Sequence, residues 1–433
     1  MVNLHIDEKP IQVDLGTTIW EAARQLGIEI PVLCHHPRLQ PVGVCRLCVV
    51  DVGSRVLAAS CVRACEEGMK VQTGGSRIEK QRRMLTALLL ADHPSPCDRE
   101  KTTGDCELEA LARHYGLIEG SQALKLQPAG FANFTLPKKQ KDLSSPVIAV
   151  DHQACILCDR CIRACDDIQS NEVIGRTGKG YSAGIAFDLD QPMGASTCVS
   201  CGECAAVCPT GALINKPITL PLVPRSQTRA VESVCPYCGV GCALTYHVMD
   251  NRILWAEGRD NPGNESRLCV KGRYGWDYTL HEHRLTRPLM RRPEFCPKGP
   301  LSSEVKEEPK GRPGGIVDYA EVLPAFREAT WEEALDLIAF NLQKIKTQHG
   351  PQALAGFGSA KCSNEEAYLF QKLMRAALGT NNVDHCTRLC HASSVAALLE
   401  GIGSGAVTDI FGHAQHAEVL LLTGTNTTVN HPV

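Results

Sequence analysis

Apolar and polar residues alternate at the start of the chain: Val2, Leu4 and Ile6, a polar break at DEKP, then Ile11, Val13 and Leu15. A period of two around a turn-forming break predicts a β-hairpin. TTIWEAARQLGI then shifts to helical spacing. EKQRRMLTALLLADH and CELEALARHYG, within residues 80–145, read as further helices. Much later, TWEEALDLIAFNLQKIKTQHG begins with a capping box, Thr330 and Glu333, and stops at Gly350. SNEEAYLFQKLMRAALG repeats the device with Ser363, Glu366 and Gly379. Between them ALAGFGSA predicts a short apolar strand, and AEVLLLTGTN a buried strand running into a polar, glycine-containing loop. Strands alternating with helices predict a parallel α/β sheet. Such a sheet is usually covered on both faces, so the chain reads as the front part of a longer protein.

Length and charge narrow the classes. The chain has 433 residues, room for about two to four domains. A formal charge of −3 gives no reason to expect nucleic acid or an anionic membrane as partner. No run approaches ~20 apolar residues, so no transmembrane helix is expected. MVNLHIDEKPIQVDLG has no basic region, apolar run or twin arginine, which predicts no export signal and a cytoplasmic location.

The 23 cysteines change the picture most. Disulfide scaffolds are usually short and exported, whereas clustered C-x2-C spacing suits thiolate ligation of iron–sulfur clusters or zinc. Cys34, Cys45, Cys48 and Cys61 form a close pair with two outlying cysteines and suit a [2Fe–2S] centre. Zinc and plain buried thiols are the alternatives, and Cys65 is a spare nearby. His93, Cys97 and Cys106 offer only three ligands; a capping or core histidine explains His93 as well. CILCDRCIRAC and CVSCGECAAVCP carry the strongest signal. In two-cluster ferredoxins the fourth cysteine of each run ligates the other cluster. This predicts one [4Fe–4S] on Cys155, Cys158, Cys161 and Cys208, and a second on Cys198, Cys201, Cys204 and Cys165. Cys235, Cys238, Cys242 and Cys269 suit a third, with four-thiolate zinc as the alternative; a continuous chain of redox centres favours iron.

These runs imply an α+β multidomain chain. It comprises a β-grasp [2Fe–2S] ferredoxin-like domain (1–78), a helical His/Cys segment (79–145) and a two-cluster ferredoxin domain (146–220). A further [4Fe–4S] domain (230–290), a Pro/Gly/charge-rich insertion or linker (291–324) and a partial α/β domain (325–433) follow.

An electron wire needs a chemical terminus. Cys390 stands apart from the groups, next to His391 and ahead of Ser393 and Ser394, either of which would N-cap a helix. A thiol near a helix N-terminus favours the thiolate, the better metal ligand, and the imidazole would move protons near pH 7. Taken alone, one Cys-His pair fits a structural cysteine with a capping histidine better.

From Cys235 onward the chain resembles molybdenum- or tungsten-dependent formate dehydrogenases. The likeness lies in CPYCGVGC, LCVKGR, SNEEAYLFQKLMRAALGTNNVDHCTRLCH and GTNTTVNHP. Residues 1–210 resemble the iron–sulfur front end shared by the large redox subunit of respiratory complex I, iron-only hydrogenases and cytoplasmic NAD-linked formate dehydrogenases. The resemblance implies that Cys390 binds the metal of a bis-molybdopterin guanine dinucleotide cofactor and that His391 handles protons beside it. It implies that Lys271 lies between a [4Fe–4S] cluster and a pterin, and that Gly424 and Asn426 belong to a pterin-contacting turn. It also implies oxidation of formate to CO2, or the reverse, with electrons passed to flavin- and NAD-binding iron–sulfur subunits or to a hydrogenase module. The alternative is a non-catalytic electron-transfer subunit of a complex I-like or hydrogenase-linked assembly. One departure stands out. The family places a cysteine three residues after Cys97, and this chain has Glu100 there. The fourth cluster is therefore expected to be lost, or completed by Glu100, Cys65 or another group.

Overall fold

A computed structural model describes residues 1–119, 122–123, 140–295, 322–405, 411–430 and 432. It has two compact units, Met1–Asp277 with Ala414–Val433, and Tyr278–His413.

The first unit opens with the expected hairpin. Val2–Ile6 pairs antiparallel with Lys9–Val13, and Lys70–Val71 joins its other edge in parallel. Alternate residues Val2, Leu4 and Ile6 point inward and are buried. They meet Ile19, Trp20, Ala22 and Ala23 of the helix Ile19–Gln25 in one apolar cluster that also takes up Cys48, Cys61 and Cys65. Thr18 and Glu21 cap this helix reciprocally, and Trp20 donates its indole N–H to the Ile30 carbonyl at 3.1 Å. Helices Ser76–Leu90 and Glu107–His114 fill the next segment, with a short turn of helix, Asp98–Thr102, between them.

In the two-run segment, Ile148–Val150 pairs antiparallel with Leu213–Asn215, and Ile174–Thr177 with Gly184–Phe187. Each cysteine run leads into a short helix, Arg160–Arg163 or Glu203–Val207. The backbone repeats: Leu157 and Asp159 in the first run, and Ser200 and Gly202 in the second, have positive φ. Successive left-handed turns fold N–H groups inward around an anionic centre. Three antiparallel strands follow, Arg229–Val234, Ala243–Met249 and Arg252–Gly258, and then the helix Val270–Tyr274 directly after Cys269.

The second unit holds the helix Trp331–His349 and a parallel strand pair, Gly356–Gly358 with Val383–His385. Its core gathers Leu354, Met374 and Leu378. The expected stops Gly350 and Gly379 both take positive φ. The Ser363–Glu366 capping box is complete. The Thr330–Glu333 box is only half made: Thr330 accepts from the Glu333 N–H, but the Glu333 carboxylate turns to Arg327, a stronger charged partner. The ends of the 291–324 insertion are drawn together, Leu289–Arg291 against Phe326–Glu328; residues 296–321 lie outside the described residues.

Two expectations fail. Residues 417–423 form no strand, and Val419 and Leu421 are exposed. An apolar run becomes a buried strand only where a sheet neighbour satisfies its backbone, and none of the described strands pairs with it. Ser393 and Ser394 do not cap their helix, which begins earlier, at Ala392; His391 occupies the cap position without a side-chain bond.

Candidate functional site

The cysteine groups assemble largely as the spacing predicts. Cys34 lies within hydrogen-bonding reach of Cys45 and Cys61, and Cys61 of Cys48. All four are buried; the spare Cys65 packs separately, its thiol pushed up first by burial and then by Glu21. Cys155, Cys158, Cys161 and Cys208 line one cavity, so the fourth thiol of the second run does cross to the first. Electrostatics show the same exchange. Burial pushes the Cys161 thiol up, and Cys158, Cys155 and Cys208 push it further. Burial raises Cys204 likewise, and its strongest thiol neighbours are Cys201, Cys198 and Cys165. In the next domain, Cys242 is raised to about 12 by burial and then by Cys235, Cys238 and Cys269. Crowded buried thiols resist ionising together, and a bound cationic centre removes that resistance, so these quartets fit metal-coupled deprotonation.

Buried arginines and one buried glutamate connect the groups. Arg163 donates from one Nη2 to the carbonyls of Cys34 (2.6 Å) and Cys158 (3.1 Å). It thereby links the first thiol group to the first ferredoxin run. Arg273, from the helix after Cys269, donates through Nε to the Cys201 carbonyl at 2.7 Å and pairs with Glu203. Glu203 also accepts from the Leu268 N–H (3.1 Å) and from Arg38 (3.0 Å). One carboxylate therefore joins segments from three cysteine-bearing domains. Sequence reading missed both links, because a lone Arg or Glu inside a cysteine run carries no periodic signal.

Lys271 follows Cys269 and ranks among the charges felt by Cys235. Its ammonium donates to the Val429 carbonyl at 2.8 Å, in the short helix Thr427–Asn430. Asn426 Oδ1 accepts from the Val429 N–H at 3.3 Å, and Gly424 has φ +61°. The structure thus brings Lys271, Gly424 and Asn426, all singled out in the sequence, into one neighbourhood.

In the other unit, Cys390 ends the helix Thr387–Cys390, and His391 separates it from the helix Ala392–Ile402. Cys390 Sγ lies 3.8 Å from His391 Nε2, and both residues are exposed. An exposed thiol–imidazole pair has room for a large cofactor to approach. Cys386, the other cysteine of this stretch, is exposed beside His385, with Sγ 3.8 Å from Nδ1.

His93, Cys97 and Cys106 come together. Of the completions left open, Glu100 pairs through Oε1 with Arg113 at 2.9 Å and accepts through Oε2 from the Cys106 N–H at 3.3 Å. Glu109 closes the group instead, and all four ligand atoms lie within 4.8 Å of one another. Among the described residues, no other set of three or more His, Cys, Asp or Glu ligand atoms is drawn so close.

Comparison with known proteins agrees with this layout. Four family models match in sequence: a 2Fe-2S iron-sulfur cluster binding domain (residues 1–75), the ferredoxin-like domain of NADH-quinone oxidoreductase subunit 3 (145–214), the molybdopterin oxidoreductase Fe4S4 domain (228–281) and molybdopterin oxidoreductase itself (284–433). A Bacillus subtilis (strain 168) protein named "Probable oxidoreductase YjgC" is 31% identical over 96% of this chain and 42% of its own. A Staphylococcus aureus (strain MRSA252) protein named "Putative formate dehydrogenase" is 30% identical over 99% of this chain and 43% of its own. The chain therefore spans less than half the length of these curated relatives. A crystal structure of an NAD+-reducing [NiFe]-hydrogenase in the H2-reduced state is 31% identical, with a TM-score of 0.43, over 50% of this chain and 87% of its own. No helix among the described residues is long and apolar enough to cross a membrane. In order along the chain, it carries a [2Fe–2S] domain, a ferredoxin-like domain, a molybdopterin oxidoreductase Fe4S4 domain and a molybdopterin oxidoreductase segment.

Proposed function

We propose that the chain oxidises formate to CO2, or runs the reverse, as part of a cytoplasmic formate dehydrogenase, and passes the electrons to a flavin- and NAD-binding partner or a hydrogenase module. The observation that carries this reading is the exposed Cys390–His391 pair within the molybdopterin oxidoreductase segment. The name of the Staphylococcus aureus relative supports the choice of substrate.

A bis-molybdopterin guanine dinucleotide with molybdenum or tungsten supplies the two-electron chemistry when bound; formate then yields CO2, one proton and two electrons. Cys390 would hold the metal through its thiolate. His391, 3.8 Å away, receives the proton and releases it to solvent. Lys271 places a positive charge between the Cys235 group and the Gly424–Asn426 turn, which favours electron passage from one to the other. Cys235, Cys238, Cys242 and Cys269, then Cys198, Cys201, Cys204 and Cys165, then Cys155, Cys158, Cys161 and Cys208, and last Cys34, Cys45, Cys48 and Cys61 would hold the centres that carry single electrons away. Arg273 and Arg163 bridge the first and last of these gaps.

Cys390→Ala tests the assignment. In the assembled enzyme it is expected to abolish formate oxidation while iron content and dithionite-reducible cluster signals stay at the parent level. Retained formate activity with full iron would remove Cys390 from catalysis.

A further inference from the structure

His93, Cys97, Cys106 and Glu109 form a buried donor set that the electron wire does not use. His93 Nε2 lies 3.9 Å from Cys106 Sγ and 3.6 Å from Glu109 Oε1. The side chains of His93 and Glu109 are 1% and 2% exposed. Glu109 accepts from the Cys97 N–H at 2.8 Å and from Ser95 Oγ at 3.2 Å. Among the described residues no lysine or arginine forms an ion pair with it.

The spacing selects the kind of cation. A single tetrahedral ion with M–S of about 2.3 Å and M–N or M–O of about 2.0–2.1 Å sets its ligands about 3.3–3.8 Å apart. Of the two separations, 3.6 Å falls inside that spacing and 3.9 Å just beyond it, and all four donor atoms lie within 4.8 Å of one another. Among the described residues, none of the thiol quartets is gathered as a whole within that distance. Mixed S, N and O donors suit a borderline-soft divalent ion and disfavour magnesium or calcium. Four protein donors with no open position describe a structural site.

We propose that this site holds one zinc-class divalent ion in place of a fourth iron–sulfur cluster, and that the ion fastens the helical segment to the ferredoxin domain. The surroundings suit a clamp. A Cβ added at Gly211 would stand 3.0 Å from Cys97 Sγ. The Glu107 N–H donates to the Pro209 carbonyl at 2.9 Å, and Arg99 to the Ala205 carbonyl at 2.8 Å. The ion's ligands thus sit against the loop that carries Cys208.

The test is metal analysis and zinc-edge X-ray absorption on the full protein purified anaerobically. One zinc per chain is expected beside about 14 iron, from one two-iron and three four-iron centres. Its shell should contain two sulfurs at about 2.3 Å and two nitrogen or oxygen atoms at about 2.0–2.1 Å. Glu109→Ala should lower zinc at least tenfold with iron unchanged. About 18 iron without zinc would show that a cluster fills the site and would overturn the proposal. So would a four-sulfur zinc shell, which places zinc in a cysteine quartet, or no zinc at all. Should the variant fail to fold, the parent's absorption spectrum still decides.

Discussion

Glu203→Ala removes the carboxylate at which three domains meet. In the parent its side chain is fully buried, and Arg273 is 2% exposed. Truncation leaves the Arg273 guanidinium buried with only the Cys201 carbonyl on its Nε, and leaves the Leu268 N–H without its acceptor. Breaking a buried pair on one side costs about 3–5 kcal/mol. Arg38, 24% exposed on the outer side, adds at most about 1 kcal/mol, because water screens it. With a urea slope of about 2–3 kcal/mol/M, the transition should move down by about 1–2 M. The assay is anaerobic urea unfolding followed by the visible absorbance of the iron–sulfur centres. Glu203→Gln combined with Arg273→Met replaces both charges with neutral groups and should recover most of the loss seen in Glu203→Gln alone, since replacing the whole pair is far cheaper than orphaning half of it. A midpoint unchanged in Glu203→Ala would refute the reasoning, as would a double variant no more stable than the single one.

Gly202→Ala should destabilise the same junction by more than about 2 kcal/mol, because Gly202 has φ +78° and a Cβ there would meet Arg273 Cδ and Tyr274 OH at 2.3 Å; urea unfolding checks it. Burial pushes the Glu257 carboxyl up, but hydrogen bonds and charges from Arg225 and His247 outweigh it and hold the group well below its ordinary value of 4.5. Its contribution is therefore present above about pH 4.5 and lost as pH falls below that value. Glu257→Gln should lower the Tm at pH 7, and the gap from the parent should close as pH falls below 4.5; the carboxylate is 39% exposed, so the effect should also shrink in high salt. Lys271→Met should lower kcat for formate with KM little changed, and steady-state kinetics would show it, because the ammonium that reaches Val429 is placed to help electrons leave rather than to bind substrate.

The local signals carried the fold wherever chemistry and periodicity coincided. The hairpin Val2–Ile6 with Lys9–Val13, the Ser363 cap and the crossed thiols Cys165 and Cys208 were all legible, because each depends on spacing within a few residues or on a ligand count of four. Glu109 was not. It lies on a helix with ordinary amphipathic spacing, and only the fold turns it toward His93. Glu333 and Ser394 misled for the opposite reason, since a capping pattern states what a side chain can do and a neighbour such as Arg327 decides whether it does. The apolar run at 417–423 reads as a strand in isolation, but a strand is a property of pairs.

The exchange of Cys165 and Cys208 sets a timetable for biosynthesis. The cavity that Cys155, Cys158 and Cys161 line is completed by Cys208, which is 208 − 161 = 47 residues downstream. At about 5–20 residues per second on the ribosome, three thiols wait about 2–10 s for the fourth. During that interval they are open to oxygen and to stray metal. Neither run can close its site alone, so the two mature together or not at all, and a chain released between residues 165 and 208 would emerge with both sites unfinished.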